Sequence, residues 1–418
     1  MNGQENNKEK LNTGLRSGKI DSENRLFKRK LSIIICTGIA VAMITVSLVS
    51  SISYRNSYGD RLLHQIDLGN QFLAQQNYEE AIAAFTKIIS IDSKSNDAVA
   101  AYLGRSRAYY GNMDKGSAYQ DLATANSMIQ SGIGTASTDL LHQTLDMEIV
   151  SEAENGGGDM SGVDTLLETS GMTDYQADSS SAATPYITIV NTLNQLRDQC
   201  SNADYDAIYR ALEDQQTISA MDTVISRLSS GQGTAEHMND GGNSPVYISW
   251  SGEDASQGIT AIYPVEVQTE NFANAKYMLY HGGYNADTQQ RMGNGIWIGS
   301  CNGNHYLAEG IWVDDKPRGA FQTQSSQKTL NKAVVYRYIS GNVANGLYNG
   351  TLEWQFEKEG TSISGLAPVF TAGVPQVIGN DAGGNYLLYD GGEGHQLVIE
   401  KKDDPKQKWG IAGFSAHA

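Results

Sequence analysis

Tyr280-His281-Gly282-Gly283-Tyr284, then a turn, then Arg291-Met292-Gly293-Asn294-Gly295-Ile296-Trp297 is the stretch that decides how the C-terminal part of the chain is built. Aromatic residues recur at the two-residue period of a strand, and glycine stands where a ring must approach the backbone. Two such runs across one turn make a β-hairpin. The style extends both ways. Val246-Tyr247-Ile248-Ser249-Trp250 precedes it as a strand. Tyr306, Glu309, Gly310 and Trp312 follow, then Asp314-Asp315-Lys316-Pro317-Arg318-Gly319-Ala320-Phe321. Asn345-Gly346-Leu347-Tyr348-Asn349-Gly350 then leads into Leu352, Trp354 and Phe356. Short strands at 368–370, 374–378, 386–389 and 396–399 are expected to close the sheet. The reading for 245–418 is an antiparallel β-meander whose aromatics stack along one face. Asp314-Asp315 and Asp403-Asp404 read as solvated turns.

The pattern aromatic-x-Gly-x-aromatic, basic turn, Gly-x-Gly-x-aromatic resembles the MORN repeat. The match is fullest at 280–297 and covers 258–355, with Ala308 and Ala320 where glycine is common. The resemblance implies hairpins that mediate protein contacts. Tyr280, Tyr284, Trp297, Tyr306, Trp312 and Tyr348 form the candidate binding face. Rings at this spacing also read as the core of the sheet, which is the blander reading and the one the residues favour.

Residues 60–153 carry a helical period instead. Leu62, Ile66, Leu68, Gly69 and Phe72 lie near one face, and Ala81, Ile82, Phe85, Ile88 and Ile89 lie on another, across Gln76-Asn77-Tyr78. Glu79 and Glu80 suit the N-terminus of the second helix. The spacing resembles the tetratricopeptide repeat, a helix–turn–helix unit of about 34 residues. Leu68, Gly69 and Phe72 match its first helix and Ala81 and Phe85 its second, while Ile88 and Ser93 depart from it. A second copy over 98–130 has Tyr102, Arg105, Ser106 and Tyr109, the turn Gly111-Asn112-Met113-Asp114, then Ala118, Leu122 and Ala125. Ser106 stands at its small position. Leu141, Leu145 and Ile149 predict a capping helix over 139–153.

Glycines at 156–158 and the low-complexity Ser179–Ala183 run make 154–184 a flexible linker in this reading. Short helices are expected over 185–230, marked by Tyr186, Val190, Leu193 and Leu196, by Tyr205, Ile208, Tyr209 and Leu212, and by Ile218, Met221, Val224, Ile225 and Leu228. Residues 231–244 read as loop.

Leu31–Ile52 contains no ionisable side chain except Cys36. About 20 such residues cross a bilayer as a helix, and the run exceeds the roughly 7–15 residues of a signal-peptide core. The tail 1–30 holds eight Lys or Arg against four Asp or Glu. That bias puts the tail in the cytoplasm and the rest of the chain outside. The 418-residue chain carries −17, so removing the tail's +4 leaves −21 outside. Nucleic-acid binding, which needs a basic face, is excluded. Abundant glycine (44) and scarce cysteine (3), together with the anchor, point to a bacterial cell envelope.

No HExxH, Walker A, GxSxG or EF-hand loop occurs. The seven histidines lack ligand spacing, with His281 and His305 the one pair placed on neighbouring hairpins. Cys200 and Cys301 read as unbridged thiols. The expectation is therefore an α+β chain with no catalytic residue, cofactor or metal. It would be a non-catalytic, single-pass membrane protein acting outside the cell as a protein-interaction or scaffolding module with protein partners. The alternative is a cell-envelope carbohydrate-binding protein that lays its Tyr/Trp face on wall glycan.

Overall fold

The computed structural model describes residues 61–230, 245–252, 256–265, 275–392 and 395–414. The basic tail 1–30, the transmembrane helix read at 31–52 and the loop at 231–244 lie outside the described residues. Among the described residues no helix is long and apolar enough to cross a membrane. The fold is α+β, with helices first and a large antiparallel sheet after them. It divides into two compact units, Met1–Asn112 and Met113–Ala418. The helix pair read over 98–130 is therefore split, one helix in each unit.

In the first unit α1 (61–74), α2 (Tyr78–Ile91) and α3 (Asn96–Gly111) follow one another. Gln76, at φ 59°, ends α1 in a left-handed turn. Ser95 caps α3 by accepting the Ala98 amide at 3.1 Å. Phe85 is fully buried. A Cβ at Gly69 would lie 2.6 Å from its ring, and one at Gly104 would lie 2.4 Å away. Phe85 thus sits against both glycines, on α1 and α3. The small position facing it is Gly104 rather than Ser106, a two-residue correction that only the helix rotation reveals.

The second unit opens with α4 (Lys115–Gln130), α5 (Thr138–Gly156) and α6 (Ser161–Thr169), and continues with α7 (Thr184–Ser201), α8 (Tyr205–Glu213) and α9 (Gln215–Ser230). Asp114 and Asp204 cap α4 and α8, each accepting an amide at 3.1 Å. Leu141, Leu145 and Ile149 are buried on α5 as read. Residues 154–184 are not a linker. They hold the end of α5 and all of α6, with Met160, Val163, Leu166, Leu167 and Met172 buried. One helical turn of apolar residues among glycine and serine is too short to register as a period. The glycines serve a docking turn: Gly158, at φ 110°, accepts the Tyr247 amide at 2.9 Å, and the Met160 amide donates to the Tyr247 carbonyl at 2.7 Å. A Cβ at Gly158 would lie 2.7 Å from the Pro245 carbonyl oxygen.

The sheet consists of β1 (Val246–Ser251), β2 (Gln257–Pro264), β3 (Tyr277–Asn285), β4 (Gln290–Cys301), β5 (Asn304–Val313), β6 (Lys316–Lys328), β7 (Val334–Ala344), β8 (Leu347–Lys358), β9 (Thr361–Leu366), β10 (Val369–Thr371) and β11 (Val374–Pro375). Strands β1 to β8 are joined in sequence order, β9 and β10 both pair with β8, and β11 follows β10. Consecutive left-handed residues close several hairpins, Asp314-Asp315 and Asn345-Gly346 among them, because that twist matches the twist of the flanking strands. The C-terminal strands do not close this sheet. β12 (Gly379–Asn380), β13 (Tyr386–Asp390) and β14 (Gln396–Ile399) form a separate three-stranded one, and the strand read at 374–378 shortens to β11.

Candidate functional site

Strand register turns the aromatic pattern into rows. Ala261, Tyr280, Trp297, Ala308, Thr323, Ile339, Trp354 and Leu366 lie directly opposite one another across β2 to β9. The adjoining row begins Ile259, Gly282, Gly295, Gly310, Phe321 and Gly341. Glycine is needed there because a Cβ at Gly295 would lie 2.5 Å from the Tyr280 ring and 2.9 Å from Trp312. The row on the other flank runs Tyr263, Met278, Gly299, Tyr306, Ser325, Arg337, Phe356 and Ile363.

Of the six residues read as a binding face, Tyr280 and Trp297 are 0 % exposed and Trp312 3 %, while Tyr284, Tyr306 and Tyr348 are also buried. They are core. Much of their cover is a feature that the sequence did not announce, the segment Trp409–Phe414. Trp297 Nε1 donates to the Ala412 carbonyl at 2.8 Å, and the Ala412 amide donates to the Tyr306 hydroxyl at 3.1 Å. Phe414 meets Trp297 and Trp312 edge-on at 5.6 and 5.4 Å. Tyr348 instead packs on Phe321, Phe370 and Trp354.

Arg291 sits among these rings, fully buried. Its guanidinium carbon lies 4.4 Å from the Tyr263 centroid, 4.6 Å from Trp312, 5.3 Å from Phe414, 5.4 Å from Trp297 and 5.6 Å from Tyr280. Asp315 supplies the countercharge: its carboxylate accepts Arg291 Nε at 2.6 Å and the Arg291 amide at 3.1 Å, and its carbonyl accepts Nη2 at 3.0 Å. Asp315 is therefore not a solvated turn residue. The turn geometry delivers its side chain into the core.

Arg337 is the second arginine on this face, half-buried in the row Tyr306–Ser325–Arg337–Phe356. Its guanidinium carbon lies 5.4 Å from the Phe356 ring and 6.0 Å from Trp354. Its Nε is buried without a hydrogen-bond partner. Burial pushes its pKa down, while the nearby Tyr348 and Tyr306 act in the opposite direction. The same burial raises the Tyr348 hydroxyl to about 12.

The opposite face of the sheet changes character along a single row. Val246, Ile262, Leu279 and Ile298 are fully buried, and α6, α7 and α8 pack over β1 to β4. The row continues as Leu307, Gln324, Tyr338 and Gln355. Gln324 is exposed and the others are half-buried. Glu309, Gln322 and Glu353 beside them are exposed, as are Tyr336 and Ile311.

His281 and His305 are not brought together. His281 Nδ1 lies 2.9 Å from the Thr260 hydroxyl, with its ring stacked on Trp250 at 5.0 Å. His305 stacks on Tyr209 at 4.0 Å. Burial, with Arg197 adding to it, lowers the His281 pKa from 6.5 to about 4. The unfolded chain takes up this proton first, so stability present above 6.5 is lost as pH falls toward about 4. The urea midpoint is expected to drop between about pH 7 and about pH 5, and His281→Gln is expected to flatten that drop. An unchanged pH profile in the variant would contradict this assignment.

Cys200 and Cys301 are buried and unbridged. Among the described residues no His, Cys, Asp and Glu cluster has the makings of a metal site. The repeat-defining residues Ala81, Phe85, Ala118 and Leu122 are fully buried, Gly69 is buried, and Leu68, Phe72 and Tyr109 are half-buried. Arg291, Asp315, Arg337 and the 409–414 segment are what sequence reasoning missed. The readable signal was slight: an arginine at the start of a Gly-x-Gly strand and an acid in the next turn.

The described residues define an α+β protein whose antiparallel meander buries Tyr280, Tyr284, Trp297, Tyr306, Trp312 and Tyr348. No family model, no curated protein and no solved structure matches the chain.

Proposed function

We propose that this chain is a non-catalytic interaction or scaffolding module, held at a membrane by Leu31–Ile52 with the two described units outside the cell. The observation that carries it is the change of polarity along one sheet row. The row is apolar under the helices and turns to Gln324, Tyr338 and Gln355 where they end. A sheet face with exposed amides, carboxylates and tyrosines suits a protein partner, because rigid tyrosines and hydrogen-bonding side chains give contact area at low entropic cost.

Two resemblances support the reading. Gly69 and Gly104, 35 residues apart, both face Phe85, which suits tetratricopeptide-type helix packing. The Gly282–Gly295–Gly310 row beside stacked rings suits a MORN-type meander. Both families mediate protein contacts. The glycan alternative draws no support from its own residues, since Trp297 and Trp312 are buried.

Photo-crosslinking residues at positions 324 and 338 of the full chain, in native membranes, test the proposal. A discrete protein adduct that is weakened by Tyr336→Ala is expected. Adducts only from positions outside this face, or retention on isolated wall glycan in place of any protein adduct, would count against it.

A further inference from the structure

Two arginines share the inner face of the sheet, each against aromatic rings, and they differ in one respect. Arg291 has a carboxylate from the chain itself, the side chain of Asp315 at 2.6 Å. Arg337 has none among the described residues. The groups acting on it are the burial itself and the hydroxyls of Tyr306 and Tyr348. Residues opposite it in the register are Ser325 and Phe356, neither of them ionisable. A guanidinium partly removed from water and left without an anion is costly, and a planar, hydrogen-bonded carboxylate is the partner that best offsets that cost.

The Arg291 arrangement is an internal template for what fits. There one carboxylate oxygen accepts from Nε and a backbone carbonyl accepts from Nη2, while rings surround the guanidinium. Around Arg337 the rings of Phe356 and Trp354 are in place, with Ser325 as a neutral hydrogen-bonding neighbour. The buried atom without a hydrogen-bond partner is Nε, while neither terminal nitrogen is among the buried unsatisfied atoms. The side chain is half-buried with Nε closed off, so the terminal nitrogens are the atoms that a small group can reach from solvent.

We propose that Arg337 is a ligand-binding site for a carboxylate brought by a small molecule or chain end, held by the guanidinium where it rests against the Trp354 and Phe356 rings. The ligand completes at Arg337 the pair that Asp315 completes at Arg291. This site is on the opposite face from the protein-contact surface and does not depend on it.

The test is calorimetric titration of the full-length protein in detergent with sodium acetate, at ionic strength held constant with sodium chloride. Sodium phosphate serves as a second titrant. Saturable acetate binding is expected for the wild type, weakened at least about tenfold in Arg337→Lys, where the bidentate fork is lost. It should be absent in Arg337→Met. Far-UV circular dichroism checks that each variant is folded, and Arg337→Lys decides alone where Arg337→Met does not fold. Absence of saturable acetate binding to the wild type would overturn the proposal. So would wild-type affinity in Arg337→Lys or Arg337→Met, or saturation by phosphate alone.

Discussion

Replacing Asp315 with alanine is expected to destabilise the second unit by about 3–5 kcal/mol, the range for removing one partner from a buried ion pair. Arg291 is 0 % exposed and ringed by Tyr263, Tyr280, Trp297, Trp312 and Phe414. Without the Asp315 side chain the guanidinium keeps the backbone carbonyl at Nη2 and the ring faces, each worth about 2 kcal/mol when desolvated, but loses its carboxylate. Asp314→Ala is the control. Asp314 shares the turn at φ 49° but is exposed, so its loss should cost less than about 1 kcal/mol. Urea denaturation followed by tryptophan fluorescence measures both. Equal midpoints for the two variants would show that the Arg291–Asp315 pair contributes nothing to the fold.

Trp297→Ala is expected to cost a similar amount, about 3–5 kcal/mol, as a large-to-small change in a packed core. Trp297 is fully buried, meets Tyr263 at 5.4 Å and Phe414 at 5.6 Å, and holds the Ala412 carbonyl through Nε1. Its removal should also loosen the 409–414 segment. Limited trypsin digestion should then cut faster at Lys406 and Lys408, both exposed just ahead of that segment. Ile311→Ala, at an exposed position on the opposite face, should change neither stability nor cleavage noticeably. If Trp297→Ala left the fold and the cleavage rate intact, the ring would be an accessible platform, and the carbohydrate-binding alternative would regain its residues.

These two variants mark where sequence reading succeeded and where it stopped. The hairpins of β3 to β6 were legible because a strand's alternation and a turn's glycine, asparagine and aspartate are local properties. The α5 helix was legible for the same reason, from Leu141, Leu145 and Ile149 spaced along one face. The short α6 was not, because one turn of apolar residues amid glycine and serine carries no period. The candidate face was legible as a set of rings, and its residues do gather on one side of the sheet. Its burial was the reading the residues favoured, but what covers it was not legible, because Trp409–Phe414 has no repeat or motif of its own.

By itself the sequence determined the α+β class of the described residues, the order of helices before strands, and the spacing of rings and glycines that sets the rows. Each of these follows from forces acting within a few residues of chain. The tertiary structure alone decided that Arg291 meets Asp315 across a register 24 residues apart, that Gly104 rather than Ser106 faces Phe85, and that Trp409–Phe414 is what covers Trp297, Tyr306 and Trp312. It likewise decided that Arg337 lies against rings with no carboxylate beside it among the described residues. Charge pairing and burial depend on which surfaces are pressed together in space, and a linear pattern of residue types does not encode that.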